Sequence, residues 1–279
     1  MGHRNYVPRQ AFETYLRQRD RPFVAWAGDR TAGDVLTVDD ATQAAADACI
    51  TARELGHEVT LFVNPFQIVS GHPYFFSLLD AAIDDRTATT VPYAGQTFAL
   101  ATAAGVQRFR NTVKTHVATL APDDAVAAVT EVAQRLGVVD VRVPAHQAPL
   151  SLADLVALRD AGVAIENHGW SHVEIGALDD AAFVRHVSQG REWLRRTLSV
   201  EASLYAVPFG ATRVPGHPED HVGEAYVLCD ARWPPRQIAG RCWNRQDLTP
   251  RLQAMSRLSS YVALRGTVLG ASRPGTPRG

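Results

Sequence analysis

Segments with the 3.6-residue period of an amphipathic helix alternate along this chain with short β-branched runs, and that alternation restricts the fold more than any other feature. Repeated strand, helix, strand is the pattern of an α/β domain with a mainly parallel sheet. Asp34–Val38 reads as a strand, Thr42–Leu55 as a helix closed by Gly56, and Glu58–Val63 as the next strand, a complete βαβ unit. From Pro73 to about Leu136 the period is helical in three stretches, Tyr74–Ile83, Val106–Leu120 and Asp123–Leu136. Between the first two, TATTVPYAGQTFALATAAG can form a short hairpin. Strand-like runs return at Val138–Val143 and Val163–Asn167, separated by a helix that Ser151 is placed to cap. The long charged helix Asp179–Leu198 follows, and later strands are expected at Ser203–Val207, Ala225–Cys229 and Thr267–Gly270.

No repeat, low-complexity block or Gly/Ser linker divides the chain, so its 279 residues are expected to form one unit. About seven strands with intervening helices predict a single (β/α) barrel, with an open doubly wound sheet as the alternative. The domain is expected over residues 21–265, with an N-terminal extension over 1–20 and a C-terminal strand and loose tail over 266–279. No G-x-G-x-x-G follows the first strand, which removes the simplest dinucleotide-binding reading.

Charge excludes some partners. The 28 Lys+Arg balance 29 Asp+Glu, so there is no basic field for a phosphate backbone or an acidic membrane. No run approaches the roughly 18–20 apolar residues of a membrane span. MGHRNYVPRQAFETYLRQRDRP lacks the apolar core of a secretory signal, so a cytoplasmic location is expected. Cys49, Cys229 and Cys242 are far apart, without C-x-x-C, and read as free thiols.

Two constellations carry chemistry. Asp39 and Asp40 close the first predicted strand, at the edge where α/β folds collect catalytic residues. Consecutive strand-end side chains diverge, so the pair can divide its work between a metal and a proton; the bland alternative makes one of them a helix N-cap. His168-Gly-Trp-Ser-His172 follows another predicted strand, and its spacing brings two imidazoles within reach of one ion. Gly169 stands where the zincin signature has Glu, so that signature does not apply. Asp with two His is a common ligand set for a catalytic zinc that keeps an open position for water, and the two features together predict a metal hydrolase.

These residues resemble the polysaccharide deacetylase family, also called NodB-homology domains or carbohydrate esterase family 4. Its first motif, T-F-D-D-G, is matched by Thr37-Val38-Asp39-Asp40-Ala41, and its following strand by Val59-Thr60-Leu61-Phe62-Val63. Its second, H-[ST]-x-x-H after a helix and A-G-x-E-I-x-x-H, is matched by Ala161-Gly162 through His168 to His172. Its third, R-x-P-[YF]-G, is matched in part by Ala206-Val207-Pro208-Phe209-Gly210. The resemblance spans roughly residues 22–245 and implies a distorted barrel with Asp39 as general base. It implies a divalent metal, most often Zn2+, on Asp40, His168 and His172, and the Phe209 N–H in the oxyanion site. Pro208, Gly210 and Trp170 are assigned to substrate contact, although Trp170 and Trp233 are expected mainly to pack.

The chain departs from the family at four places. Gly169 replaces Ser/Thr and Ala41 replaces Gly; Ala206 stands where the family has an arginine that orients the catalytic Asp. The last motif, Leu-x-His, which donates the general acid, has no match in TVLGASRP, and His217, His221 and His146 are the candidate replacements. The expected reaction is hydrolysis of an N-acetyl amide on a soluble amino sugar or other small molecule. The alternatives are another C–N hydrolase of the deformylase or cyclic amidase type, and a non-catalytic metal-binding descendant. A homo-oligomer is compatible with the sequence, and the helical stretch 73–136 can serve as a lid or a dimer surface.

Overall fold

The computed structural model describes residues 6–28, 31–210, 226–230, 236–239, 242–248, 252, 261–263 and 266–269. Six parallel strands run in sheet order β1 (Val35–Asp39), β2 (Val59–Val63), β3 (Ala164–Asn167), β4 (Leu204–Ala206), β5 (Tyr226–Asp230) and β6 (Cys242–Asp247). A seventh, β7 (Gly266–Leu269), lies antiparallel to both β1 and β6 and joins the two ends of the curled sheet. Arg236–Ala239 adds to β6 from outside this ring. The α/β barrel read from the sequence is therefore the fold. β1 and β2 are buried at every position, as strands covered on both faces must be.

Local signals explain most of the elements. Thr42 caps the helix Gln43–Glu54 by accepting the Ala45 N–H, so neither Asp39 nor Asp40 serves as the cap. Ser151 and Asp154 form a reciprocal capping box on the helix Leu152–Asp160. The helices Phe75–Asp84, Ala103–Val117 and Pro122–Arg135 share a core of their own, which includes Leu79, Phe109, Val113 and Val129. Inside it the Arg110 guanidinium forks onto Asp80 at 2.6 and 3.0 Å. The expected hairpin pairs Thr90–Tyr93 with Gln96–Ala99 through Ala94-Gly95, both at positive φ, as a type I′ turn requires.

The structure departs from or adds to the sequence reading at three places. Val138–Val143 is not a strand: it has no pairing partner among the described residues, Val139 is 95% exposed, and Val141 and Val143 lean on the helical core instead. The N-terminal extension carries an element of its own. Arg9–Arg17 is a helix that buries Phe12 and Leu16 on the barrel, and His57 secures it by donating from Nε2 to the Leu16 carbonyl while Nδ1 accepts the Phe23 N–H. β6 escaped notice because CWNRQD looks polar, yet Trp243 and Arg245, two apart on one face, are both buried.

Candidate active site

The site lies at the C-terminal edge of β1 to β4. β1 delivers Asp39 and Asp40, and Asp40 takes the left-handed backbone conformation (φ 66°), which turns the chain sharply as the strand ends. The two carboxylates diverge as a result. Asp39 is 4% exposed and receives the Arg245 fork on both oxygens, at 2.8 Å each; the same guanidinium donates to Thr37 Oγ1 at 3.2 Å and lies over the Phe62 ring. Asp40 instead meets the histidines: its Oδ1 is 3.6 Å from His168 Nε2 and 3.2 Å from His172 Nε2.

These three side chains fit a metal ion. One ligand atom from each lies within 4.8 Å of the others, and all three residues are buried. His168 Nδ1 is 2.9 Å from the Ala206 carbonyl, which obliges Nδ1 to carry the proton and leaves the Nε2 lone pair facing Asp40. That Nε2 is buried and makes no hydrogen bond among the described residues, as an atom reserved for a cation would be.

A second layer ties the two loops together. The Tyr74 hydroxyl accepts the Ala41 N–H at 2.9 Å and donates to Asn64 Oδ1 at 3.3 Å; Asn64 Nδ2 donates to the His168 carbonyl at 2.6 Å. Burial, reinforced by the Asp40 charge, holds the Tyr74 phenol well above its ordinary pKa, so it remains a donor. Gly169 (φ +81°) abuts His186, and a Cβ there would overlap the imidazole; this accounts for glycine at the family's Ser/Thr position. Burial, with the neighbouring His168, pushes His186 down to about 3, so the ring is neutral.

The third motif lands beside the candidate metal-ligand set. Phe209 adopts φ 62° and ψ 4°, and its ring centroid is 4.3 Å from that of His172. Lys114 Nζ, from the helix Ala103–Val117, lies 4.9 Å from the Phe209 ring centroid, and Phe75 and Phe76 complete the aromatic wall. Pro208 is buried next to Phe209, and Gly210 ends the same turn. Trp170 lines a groove of about 770 Å³ with Trp193, Glu192 and Arg196 of the helix Asp180–Leu198.

Among the candidate acids, His146 sits in the turn Ala145–Gln147, with Nε2 3.4 Å from the Gln147 amide. His217, His221 and Trp233 lie outside the described residues. Arg245 is the site residue that sequence reading missed. Its signal was the absent arginine at Ala206: a buried carboxylate such as Asp39 needs a cationic partner from somewhere.

A family model described as polysaccharide deacetylase matches residues 125–216, which include the second and third motifs. Among solved structures, the chain is similar to the Streptococcus pyogenes deacetylase PplD in complex with acetate, at 12% identity and TM-score 0.44 over 90% of this chain and 79% of that one. It is also similar to a de-N-acetylase from Aggregatibacter actinomycetemcomitans, at 11% identity and TM-score 0.40, covering 88% and 78%. A third, the BpsB deacetylase domain from Bordetella bronchiseptica, gives 13% identity and TM-score 0.38, covering 75% and 69%. No curated protein matches the sequence.

Proposed function

We propose that this member of the polysaccharide deacetylase family is a metal-dependent hydrolase that removes N-acetyl groups from a soluble amino sugar or another small molecule. The observation that carries the reading is the divergence of two adjacent carboxylates, Asp39 into an arginine fork and Asp40 onto His168 and His172.

Asp40, His168 and His172 would hold the divalent ion, with Zn2+ the best match to an Asp and two imidazoles. A divalent ion held there supplies Lewis acidity and an acidified water. The chain's own groups do the rest. Asp39 takes the proton of the attacking water, and Arg245 keeps that carboxylate in one orientation. The Phe209 N–H donates to the developing oxyanion, with the left-handed turn directing it. Pro208 and Gly210 flank the acyl position, and Trp170 extends the contact surface along its groove. Phe75, Phe76 and Phe209 exclude bulk water and strengthen each of these interactions.

A small or neutral substrate is favoured because the near-neutral charge of the chain offers no field for a charged polymer. The test is acetate release by the zinc-loaded protein from N-acetylated sugar conjugates and from chitooligosaccharides. Asp39→Asn is expected to keep the metal and lose turnover, and Asp40→Asn to lose both. Faster turnover of the polymer would overturn the substrate assignment, and an Asp39→Asn protein as active as wild type would overturn the base.

A further inference from the structure

The chain contains 27 arginines and one lysine, Lys114. Every other basic side chain of this kind is a guanidinium, which stays protonated in proteins and cannot serve as a proton donor in turnover. The sole ammonium is not on an outlying surface. Its Nζ lies over the Phe209 ring, and that ring touches His172. The reaction proposed above also needs an acid that protonates the departing amine, and no Leu-x-His motif supplies one in the C-terminal strand.

We propose that Lys114 is the general acid of this site. The inference rests on the deacetylase reading. In the first step the acyl carbon gains the hydroxyl of water while Asp39 takes the water's proton. In the second the C–N bond breaks, its electron pair stays on nitrogen, and nitrogen takes a proton from the Lys114 ammonium. The products are acetic acid and the free amine, which leave as acetate and ammonium once the acid's proton passes to the amine. Lys114 recovers a proton and Asp39 releases one through solvent, so the protein returns to its starting state with one water consumed. Lys114 is half-buried, with its Nζ held against the face of the Phe209 ring.

Leaving-group chemistry separates an acid from a charge. Expulsion of 4-nitrophenolate from 4-nitrophenyl acetate needs no proton, whereas expulsion of the amine from 4-nitroacetanilide does. In the zinc-loaded protein, Lys114→Met is expected to lower anilide turnover by at least about 100-fold, the usual contribution of a positioned acid, and to leave ester turnover within about 3-fold. Lys114→Arg should behave like Lys114→Met, because it keeps the charge but not the transferable proton. The proposal is overturned if Lys114→Arg restores anilide turnover, if Lys114→Met loses both activities equally or neither, or if His146→Ala produces the split instead. A wild-type protein that hydrolyses the ester alone overturns it too, since that is how a site without an acid behaves. Asp39→Asn hydrolysing the ester at the wild-type rate, or a wild-type protein inert to both substrates, would count against the deacetylase reading itself.

Discussion

Arg245 and Asp39 stand 206 residues apart in the chain and meet inside the barrel through two N–H···O bonds of 2.8 Å. The pair replaces an interaction that the third motif alone would have denied this chain, because Ala206 offers only its backbone carbonyl, to His168. An arginine entering from β6 reaches the same carboxylate that one entering from β4 would. In the proposed reaction the orientation of Asp39 is therefore set by a guanidinium carried on β6.

Removing that fork should damage both stability and turnover. Arg245→Ala leaves Asp39 buried without its cation, at an expected cost of about 3–5 kcal/mol measured by urea unfolding. Arg245→Lys keeps the charge but not the bidentate geometry, and is expected to lower kcat by roughly 10-fold or more with zinc stoichiometry unchanged. An Arg245→Lys protein with wild-type kcat would show that the fork does not position the base.

Tyr74 offers a separate test, since its hydroxyl joins the Asp loop to the His loop and its ring meets that of His172 edge to face, with centroids 5.9 Å apart. Tyr74→Phe leaves the buried Ala41 N–H without its acceptor and should cost about 1–3 kcal/mol. Zinc affinity, measured by competition with a chromophoric chelator, is expected to fall about 10-fold, as for other outer partners of metal ligands. Unchanged affinity would reduce Tyr74 to a packing residue.

Gly169 and His186 should behave as a coupled pair. Gly169→Ala places a methyl group against the imidazole at a backbone angle that L residues avoid, and several kcal/mol of destabilisation is expected. Adding His186→Ala removes the overlap but not the backbone strain, so the double variant should recover part of the loss. A double-mutant cycle with no coupling energy would refute the contact.

How much of this was legible in the sequence follows from how local each signal is. Asp39, Asp40, His168 and His172 could be read because strand ends and short spacings are local, and each pair is adjacent or four apart. The ring of parallel strands could be read because buried strands are continuously apolar, as in VLTVD and VTLFV. Arg245 could not, because its partner lies far away in sequence and its strand alternates polar with buried residues. Lys114 was likewise hidden: a lysine on a helix reads as solvated surface until the helix is seen to lie over Phe209. Val138–Val143 misled in the opposite direction, since β-branched residues supply propensity but not a neighbouring strand.

Glu166 predicts how stability should depend on pH. It is buried on β3, where Oε1 accepts the Ser203 hydroxyl at 3.0 Å and Oε2 accepts the Leu204 N–H at 2.8 Å. Burial outweighs these bonds and pushes its carboxyl up from 4.5 to about 7. A raised carboxyl pKa means that the folded state holds this proton more tightly than the unfolded chain does. The resulting stabilisation is complete below about pH 4.5 and is lost as pH rises through about 7, an effect on the order of 3 kcal/mol. Gln at this position mimics the protonated acid: its carbonyl can accept from Leu204 and its amide can donate to the Ser203 oxygen. In zinc-free protein, Glu166→Gln should therefore be nearly neutral at pH 5 and stabilising by about 2 kcal/mol at pH 8, read from urea unfolding at each pH. Comparing the variant with wild type at each pH cancels the other titrating groups. An identical difference at both pH values would mean that Glu166 does not hold its proton in the folded state.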